Sequence, residues 1–467
     1  MSLRPNNSFK NRDEGVDFFW IPQSTSTGGP LDLEHVHATS MRGHRFMLLR
    51  EYIHRSLYEE GKGYFQNTAP PVAAMRAPID FSELAGRSDY EREIGKAYAV
   101  DIDRSSWLTP AEIFQPYYAY AIARRIERAH LARRTGGTRR SDKPDGHLCL
   151  VVEIGAGTGT LAHGILTYLR SVCGLNAKYI LVEISSSCIA LQKQRLQEFM
   201  PSKQVQWIQK CATMLQPDDF KPLGVALDEA HVVATEVLDN MPHDCIVYDE
   251  NSKGYLQTVV EARHGTGVLP LVFPTLHRFP LEDGPIQRAL GVWFSADREI
   301  VSPFPWHEWI KQIFHSILPN DKYSAQQIFI PTMTVKLLDA IKRCFRNHLT
   351  LTFADFDYLP NTLPGEDGPL IQMRQHKHTI PFSAFEDAPM YKCDIMFPTN
   401  FHYFQSAVQS IFSDQRTHVE VMKSDQFIRQ HNGDKSGTQT LSGYDPLLDD
   451  FKNTSFLLGT LEKENEE

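Results

Sequence analysis

The chain has no cysteine pair at Cys-x-x-Cys spacing, no apolar run long enough to cross a bilayer, and no excess of positive charge. Its seven cysteines are scattered as Cys149, Cys173, Cys188, Cys211, Cys245, Cys344 and Cys393. That dispersal argues against a zinc ribbon, and no other spacing marks a metal site. The odd count reads as reduced thiols in an intracellular compartment. No stretch approaches the roughly 20 consecutive apolar residues of a membrane-spanning helix. A net charge of −9 argues against a dominant nucleic-acid footprint. The first twenty residues lack the apolar run of a secretory signal. Arg4, Lys10 and Arg12 make a faint organelle-targeting pattern that Asp13 and Glu14 cut short, and a polar tail fits those residues equally.

What is present is a globular composition, 467 residues with 42% hydrophobic and 22% charged side chains, enough for a large core and a second lobe. Residues 1–41 read as a polar tail. Residues 42–145 read as a helical segment packing on the core. Phe46, Leu49, Ile53 and Leu57 predict a helix from Arg42 to Tyr58, and Thr109 as N-cap with Pro110 behind it predicts a long helix from Pro110 to Ala132. A basic stretch at 133–143 reads as a solvated loop, with an RNA contact as the alternative.

From Leu148 the rhythm becomes short β-rich runs alternating with helical ones: 148–154, 179–184, 205–208 and 232–237 as strands, with a helix after each of the first two. This alternation predicts an α/β fold, Rossmann-like, with a mainly parallel sheet over 146–250. Residues 251–460 would supply an additional lobe and the remaining core strands, and 461–467 an acidic tail that frays from about Leu458.

Three features in this order carry chemistry. Gly155, Gly157 and Gly159 follow the first strand at alternate positions, where absent Cβ atoms let a ligand lie against the backbone. A dinucleotide fingerprint would place its third glycine one residue later. Glu153 would repel a pyrophosphate, yet it could pair with the ammonium of a methionine moiety. Glu183 ends the second strand, where a carboxylate can accept from ribose hydroxyls. Together these favour S-adenosyl-L-methionine over NAD. Glu236 and Asp239, three apart beyond the fourth strand, could hold a cationic acceptor such as a guanidinium in line with the methyl group. A helix start capped by Asp239 or Asn240, with Pro242 in its first turn, is the structural alternative.

The runs EIGAGTGTL (153–161), YILVEISSSCIALQKQRL (179–196) and ATEVLDNMPHD (234–244) resemble the MidA-like family of S-adenosylmethionine-dependent methyltransferases. FMLLREYIHRSLYEEGKGYF (46–65), WLTPAEIFQPYYAYAI (107–122) and CDIMFPTNFHYF (393–404) extend the resemblance over most of the chain. It implies a class I methyltransferase fold, with Glu153, Gly155, Gly157, Gly159 and Glu183 on the cofactor. Thr109, Glu112 and Pro242 would lie on the substrate side, and Glu236 and Asp239 at the reacting group. It also implies a protein substrate methylated on arginine, mitochondrial location and a link to respiratory complex I assembly. Departures stand at Thr235, where the family carries an amide, at 355–360, and after Asp394 and Ile395, where a Thr and a His are missing. They leave a second reading open, a scaffold that keeps the fold without turnover.

Overall fold

The computed structural model describes residues 46–66, 72–99, 107–136, 149–249, 252, 254–264, 272–295, 327–345, 347–375, 378–433 and 436–463. The predicted tail at 1–41 and most of the basic stretch lie outside them.

A seven-stranded sheet forms the centre. Its spatial order is β14 (Gln415–Lys423), β15 (Thr454–Lys463), β10 (His348–Phe356), β5 (Glu229–Thr235), β2 (Cys149–Ile154), β3 (Ala177–Glu183) and β4 (Val205–Gln209). The five strands from β10 to β4 run parallel, while β15 is antiparallel to both β10 and β14. All six residues of β2 are buried, as expected of a parallel strand covered on both faces. Leu150, Val152, Ile180, Val232 and Leu351 pack on one face with α8 (Thr332–Cys344) and α9 (Phe401–Ile411). Val151, Tyr179, Leu181 and Val233 pack on the other with α4 (Tyr117–Gly136), α5 (Thr160–Ser171) and α10 (Ser424–Asn432). From β2 the chain moves outward to β3 and β4, then returns to place β5 on the opposite flank. The crevice between the carboxyl ends of β2 and β5 is therefore a topological switch point, where open α/β sheets bind ligands.

Two smaller sheets form the additional lobe. One joins β1 (Phe46–Leu48), β7 (Gly254–His264), β6 (Asp244–Asp249) and β9 (Gln327–Ile330), with β8 (Val272–Pro280) on β7. The other is β12 (His378–Phe382), β11 (Leu370–Gln375) and β13 (Asp394–Met396). Helix α1 (Leu49–Tyr58) buries Leu49, Tyr52, Ile53 and Leu57 between these sheets, and Arg50 anchors it to Asp244 at 2.8 Å and Asp283 at 2.8 Å.

Several boundaries differ from expectation. Of the helix expected from Arg42 to Tyr58, residues 42–45 lie outside the described ones and 46–48 form a strand, because β7 supplies their hydrogen-bond partners. They and α1 pack with the smaller sheets, while α2 (Arg87–Ala99), α3 (Pro110–Ile113) and α4 pack on the central sheet. The helix expected over 110–132 divides into α3 and α4 around Pro116, whose ring cannot continue a helix interior. The helix expected after the second strand is α6 (Ser186–Arg195), followed by a tight turn at Gln197–Phe199. The chain does not fray after Leu458: β15 runs to Lys463 between two strands, with Leu461 fully buried. Among the described residues no helix is long and apolar enough to cross a membrane.

Candidate functional site

Gly155, Gly157 and Gly159 have φ of +68°, +53° and +82°, a left-handed backbone that glycine alone adopts without steric cost. A Cβ on Gly155 would stand 2.7 Å from a methyl carbon of Val237, whereas one on Gly157 would meet nothing closer than Val72 at 3.7 Å. Gly155 and Gly157 line a cavity of about 150 Å³ together with Glu183, Ser185, Cys211, Val237 and Pro242. Gly159 does not line it. It caps α5 and packs against Gln192 of α6, where a Cβ would lie 3.2 Å away.

Glu183 reaches the cavity with its carboxylate already ordered. Its Oε1 accepts the backbone N–H groups of Ile184 and Ser185, both at 2.9 Å, and Oε2 accepts Gln192 Nε2 at 3.2 Å. Burial pushes its pKa up, and these donors work against that shift. Gln192 also donates to the Gly157 carbonyl at 2.9 Å and accepts from Trp207 at 3.0 Å. One amide thus ties the glycine turn to the carboxylate. Sequence reasoning passed over Gln192; a polar residue on the apolar stripe of α6 was the available signal.

Two expected site residues lie elsewhere. The pleat turns Glu153 to the face shared by Val151 and Tyr179, where Tyr179 donates to it at 2.6 Å and burial pushes its pKa up to about 7. It does not line the cavity, so the structure does not offer it to an ammonium group. Glu112 lies behind the glycine turn rather than on the substrate side. It is fully buried and accepts from Met75 N–H at 2.7 Å, from Arg195 at 2.9 Å, and from the hydroxyls of Thr158 and Thr160. Those bonds brace the turn from below. Thr109 caps α3 and lines the second cavity, whereas Pro242 lines the first rather than the substrate side.

The second cavity, about 480 Å³, is walled by Glu236, Asp239, Asn240 and Asp394, with Thr109, Trp107 and Gln372 among its other sides. Phe65, Val72, Glu236 and Asn240 belong to the walls of both cavities. Residues 236–242 form a loop and not a helix start. Glu236 itself sits at φ +53°, a conformation uncommon for a non-glycine residue. What holds the loop is Asp355 at the end of β10: its Oδ2 accepts the N–H groups of Val237, Leu238 and Asp239 at 3.1, 2.7 and 3.2 Å. Asn240 donates to Asp394 and to the Ile395 carbonyl, each at 3.0 Å. The predicted pair Glu236 and Asp239 therefore does meet in one cleft, with Asp394 beside it. Asp355 stood in a stretch marked only as a departure; its role needs the parallel pairing of β10 with β5.

The electrostatics of this cavity are one-sided. Burial pushes Glu236 up to about 7 and Asp394 up to about 6. Asp239 is raised well above the ordinary range by burial, then by Asp355, Asp394 and Glu236. Among the described residues no Lys, Arg or His lines the cavity, and Asp239 Oδ1 is buried without a hydrogen-bond partner.

The chain matches, over residues 138–418, a family model described as “Putative S-adenosyl-L-methionine-dependent methyltransferase”. Among solved structures it is similar to a Burkholderia thailandensis protein bound to S-adenosyl-homocysteine, at 15% identity and TM-score 0.54, covering 92% of this chain and 91% of that one. A native structure of an uncharacterized protein from the same organism aligns at 15% identity and TM-score 0.51, with the same coverages of 92% and 91%. No curated protein matches the sequence. At these identities the two structures speak for the fold, and the family model speaks for the chemistry.

Proposed function

The chain belongs to a family of S-adenosyl-L-methionine-dependent methyltransferases, and from that premise we propose that it methylates a cationic nitrogen, the side chain of an arginine presented by a protein. The observation that carries this reading is the position of Glu236 and Asn240. They stand in the wall between a glycine-turn cavity and a cavity lined by three carboxylates and, among the described residues, by no cation.

The cofactor fits the first cavity by the chemistry of its walls. Gly155 and Gly157 leave room against the backbone, and Glu183 Oε2 has acceptor capacity left for ribose hydroxyls. S-adenosylmethionine, when bound, supplies an electrophilic methyl group on a sulfonium sulfur. On the acceptor side, Glu236 and Asp239 would take the N–H donors of a guanidinium, orienting one nitrogen toward the shared wall. Transfer forms a C–N bond, breaks the C–S bond and releases one N–H proton. Glu236, whose proton is held up to about 7, is suited to receive it.

The acidic lining disfavours an RNA acceptor, whose phosphates it would repel. It also disfavours a scaffold without turnover, since the buried Asp239 oxygen that lacks a partner costs stability that a scaffold does not require. The family match sets aside the NAD alternative. The MidA-like resemblance extends the proposal to mitochondria, with a respiratory complex I subunit as the acceptor protein.

The test is calorimetry with S-adenosylmethionine and S-adenosylhomocysteine, followed by transfer of labelled methyl to complex I subunits, with methylarginine read by mass spectrometry. Cofactor binding with label on arginine supports the assignment. Binding with label on another residue type overturns the acceptor, and no binding by folded protein favours the scaffold.

A further inference from the structure

At the other end of the central sheet lies a cluster that the methyl-transfer reading does not use. Cys149 opens β2, and His231 is the third residue of β5. The parallel register sets His231 beside Val151, two residues from Cys149 on the same face of the sheet. Helix α4 crosses that face and lowers His130 onto it. One ligand atom from each of His130, Cys149 and His231 lies within 4.8 Å of the other two, and all three residues are buried.

The hydrogen bonding around the cluster is incomplete in a directed way. His231 Nδ1 meets the Thr350 hydroxyl, which leaves Nε2 buried without a partner. Neither ring nitrogen of His130 has a hydrogen bond, although Nδ1 faces a Glu229 carboxylate oxygen at 3.6 Å. Arg133 holds that same oxygen at 2.6 Å. A buried imidazole nitrogen without a partner costs stability. Two such rings beside a thiol therefore call for a ligand that accepts lone pairs.

We propose that His130, Cys149 and His231 hold a zinc-type divalent cation that clamps α4 to the amino ends of β2 and β5. Two imidazoles and a thiolate form the donor set of a borderline-soft ion of tetrahedral preference, with bonds of about 2.0–2.3 Å. Closing from the present separations to tetrahedral ones requires small side-chain rotations. The orienting groups are already placed. Thr350 on His231 Nδ1 and Glu229 on His130 Nδ1 would fix both tautomers and point both Nε2 atoms at the ion. Binding forms the sulfur–metal bond as the Cys149 thiol proton leaves to solvent. Water would complete the tetrahedron. The role is structural: both ligand cavities lie at the carboxyl ends of these strands, a strand's length away. The three residues stand far apart in sequence, so no spacing motif could reveal the site.

The test uses the full chain without a histidine tag, and measures metal content, zinc calorimetry after chelation, cobalt absorption and thermal unfolding. The expected result is about one zinc per chain, a thiolate-to-cobalt charge-transfer band, and a thermal midpoint that falls on chelation and returns with zinc. Cys149→Ser should abolish the band. Glu229→Gln leaves all three ligands in place and should weaken zinc binding by about 10–100-fold with the circular dichroism unchanged. Folded protein that takes up neither zinc nor cobalt overturns the proposal. So does zinc binding of equal strength in Cys149→Ser, since the ion would then sit elsewhere.

Discussion

Glu183 and Asp239 are both buried carboxylates just beyond or at the end of a central parallel strand, and their surroundings treat them in opposite ways. Glu183 receives two backbone N–H groups and an amide before any ligand arrives. Asp239 has an oxygen with no partner and faces Glu236 and Asp394 across a cavity free of cations among the described residues. The first arrangement is complete in itself and presents a rigid acceptor to neutral hydroxyls. The second is unfinished, and a positively charged acceptor would finish it. The physical lesson is that a pre-ordered carboxylate positions, whereas a desolvated cluster of like charges selects for charge.

That contrast can be broken experimentally, beginning where the effect is largest. Gly157→Val should remove S-adenosylmethionine binding altogether in calorimetry, because a branched side chain at φ +53° is strained and projects into the cavity; retained affinity would sink the cofactor assignment. Asp239→Asn should lower methyl transfer by about 10²–10³-fold while cofactor affinity stays as it was. An equal loss of cofactor affinity would merge the two cavities into one function. Asp355→Ala leaves three N–H groups of the 237–239 segment without their acceptor. Denaturant unfolding should show about 3 kcal/mol of lost stability at roughly 1 kcal/mol per bond, and an unchanged midpoint would mean the loop is held by other bonds. Glu183→Ala should weaken cofactor binding by about 1–3 kcal/mol without altering the affinity for the acceptor.

The smallest effect is one of slope. Glu236 and Asp394 are raised to about 7 and about 6 in the folded chain, above ordinary unfolded values near 4. Between those limits the folded state binds more protons than the unfolded one, so stability falls as pH rises from about 4 toward 7. Thermal midpoints across that window should decline, and an arginine-containing acceptor should flatten the decline. A flat profile in the free protein would show that these carboxylates are solvated.

Much of the cofactor half was legible because its signals are local. The glycines lie in one turn, and Glu183 follows a run of buried strand residues at the place where a Rossmann-like unit keeps an acid. Glu153 shows the limit of that reasoning. Its residue type and spacing suited a ligand, but the pleat of β2 gave it to Tyr179. The family resemblance likewise places Glu112 by the cleft, whereas the fold uses it to brace Thr158, Thr160 and Arg195. The acceptor half was legible in Glu236 and Asp239 and much less so in what holds them. Asp355 lies more than a hundred residues downstream and reaches the loop only because β10 pairs with β5.

By itself the sequence determined the alternation that makes a parallel sheet, the place of the glycine turn, and the two acids beyond the fourth strand. Each of these follows from residue periodicity or backbone freedom within a few neighbours. Only the tertiary structure decided that 46–48 is a strand, that the chain's last described residues are interior to the sheet, and that Asp355 ties the reactive loop. It also decided which carboxylates face a cavity and which face the core. These outcomes depend on hydrogen-bond partners and desolvation supplied by residues distant in the chain, and local pattern carries no record of them.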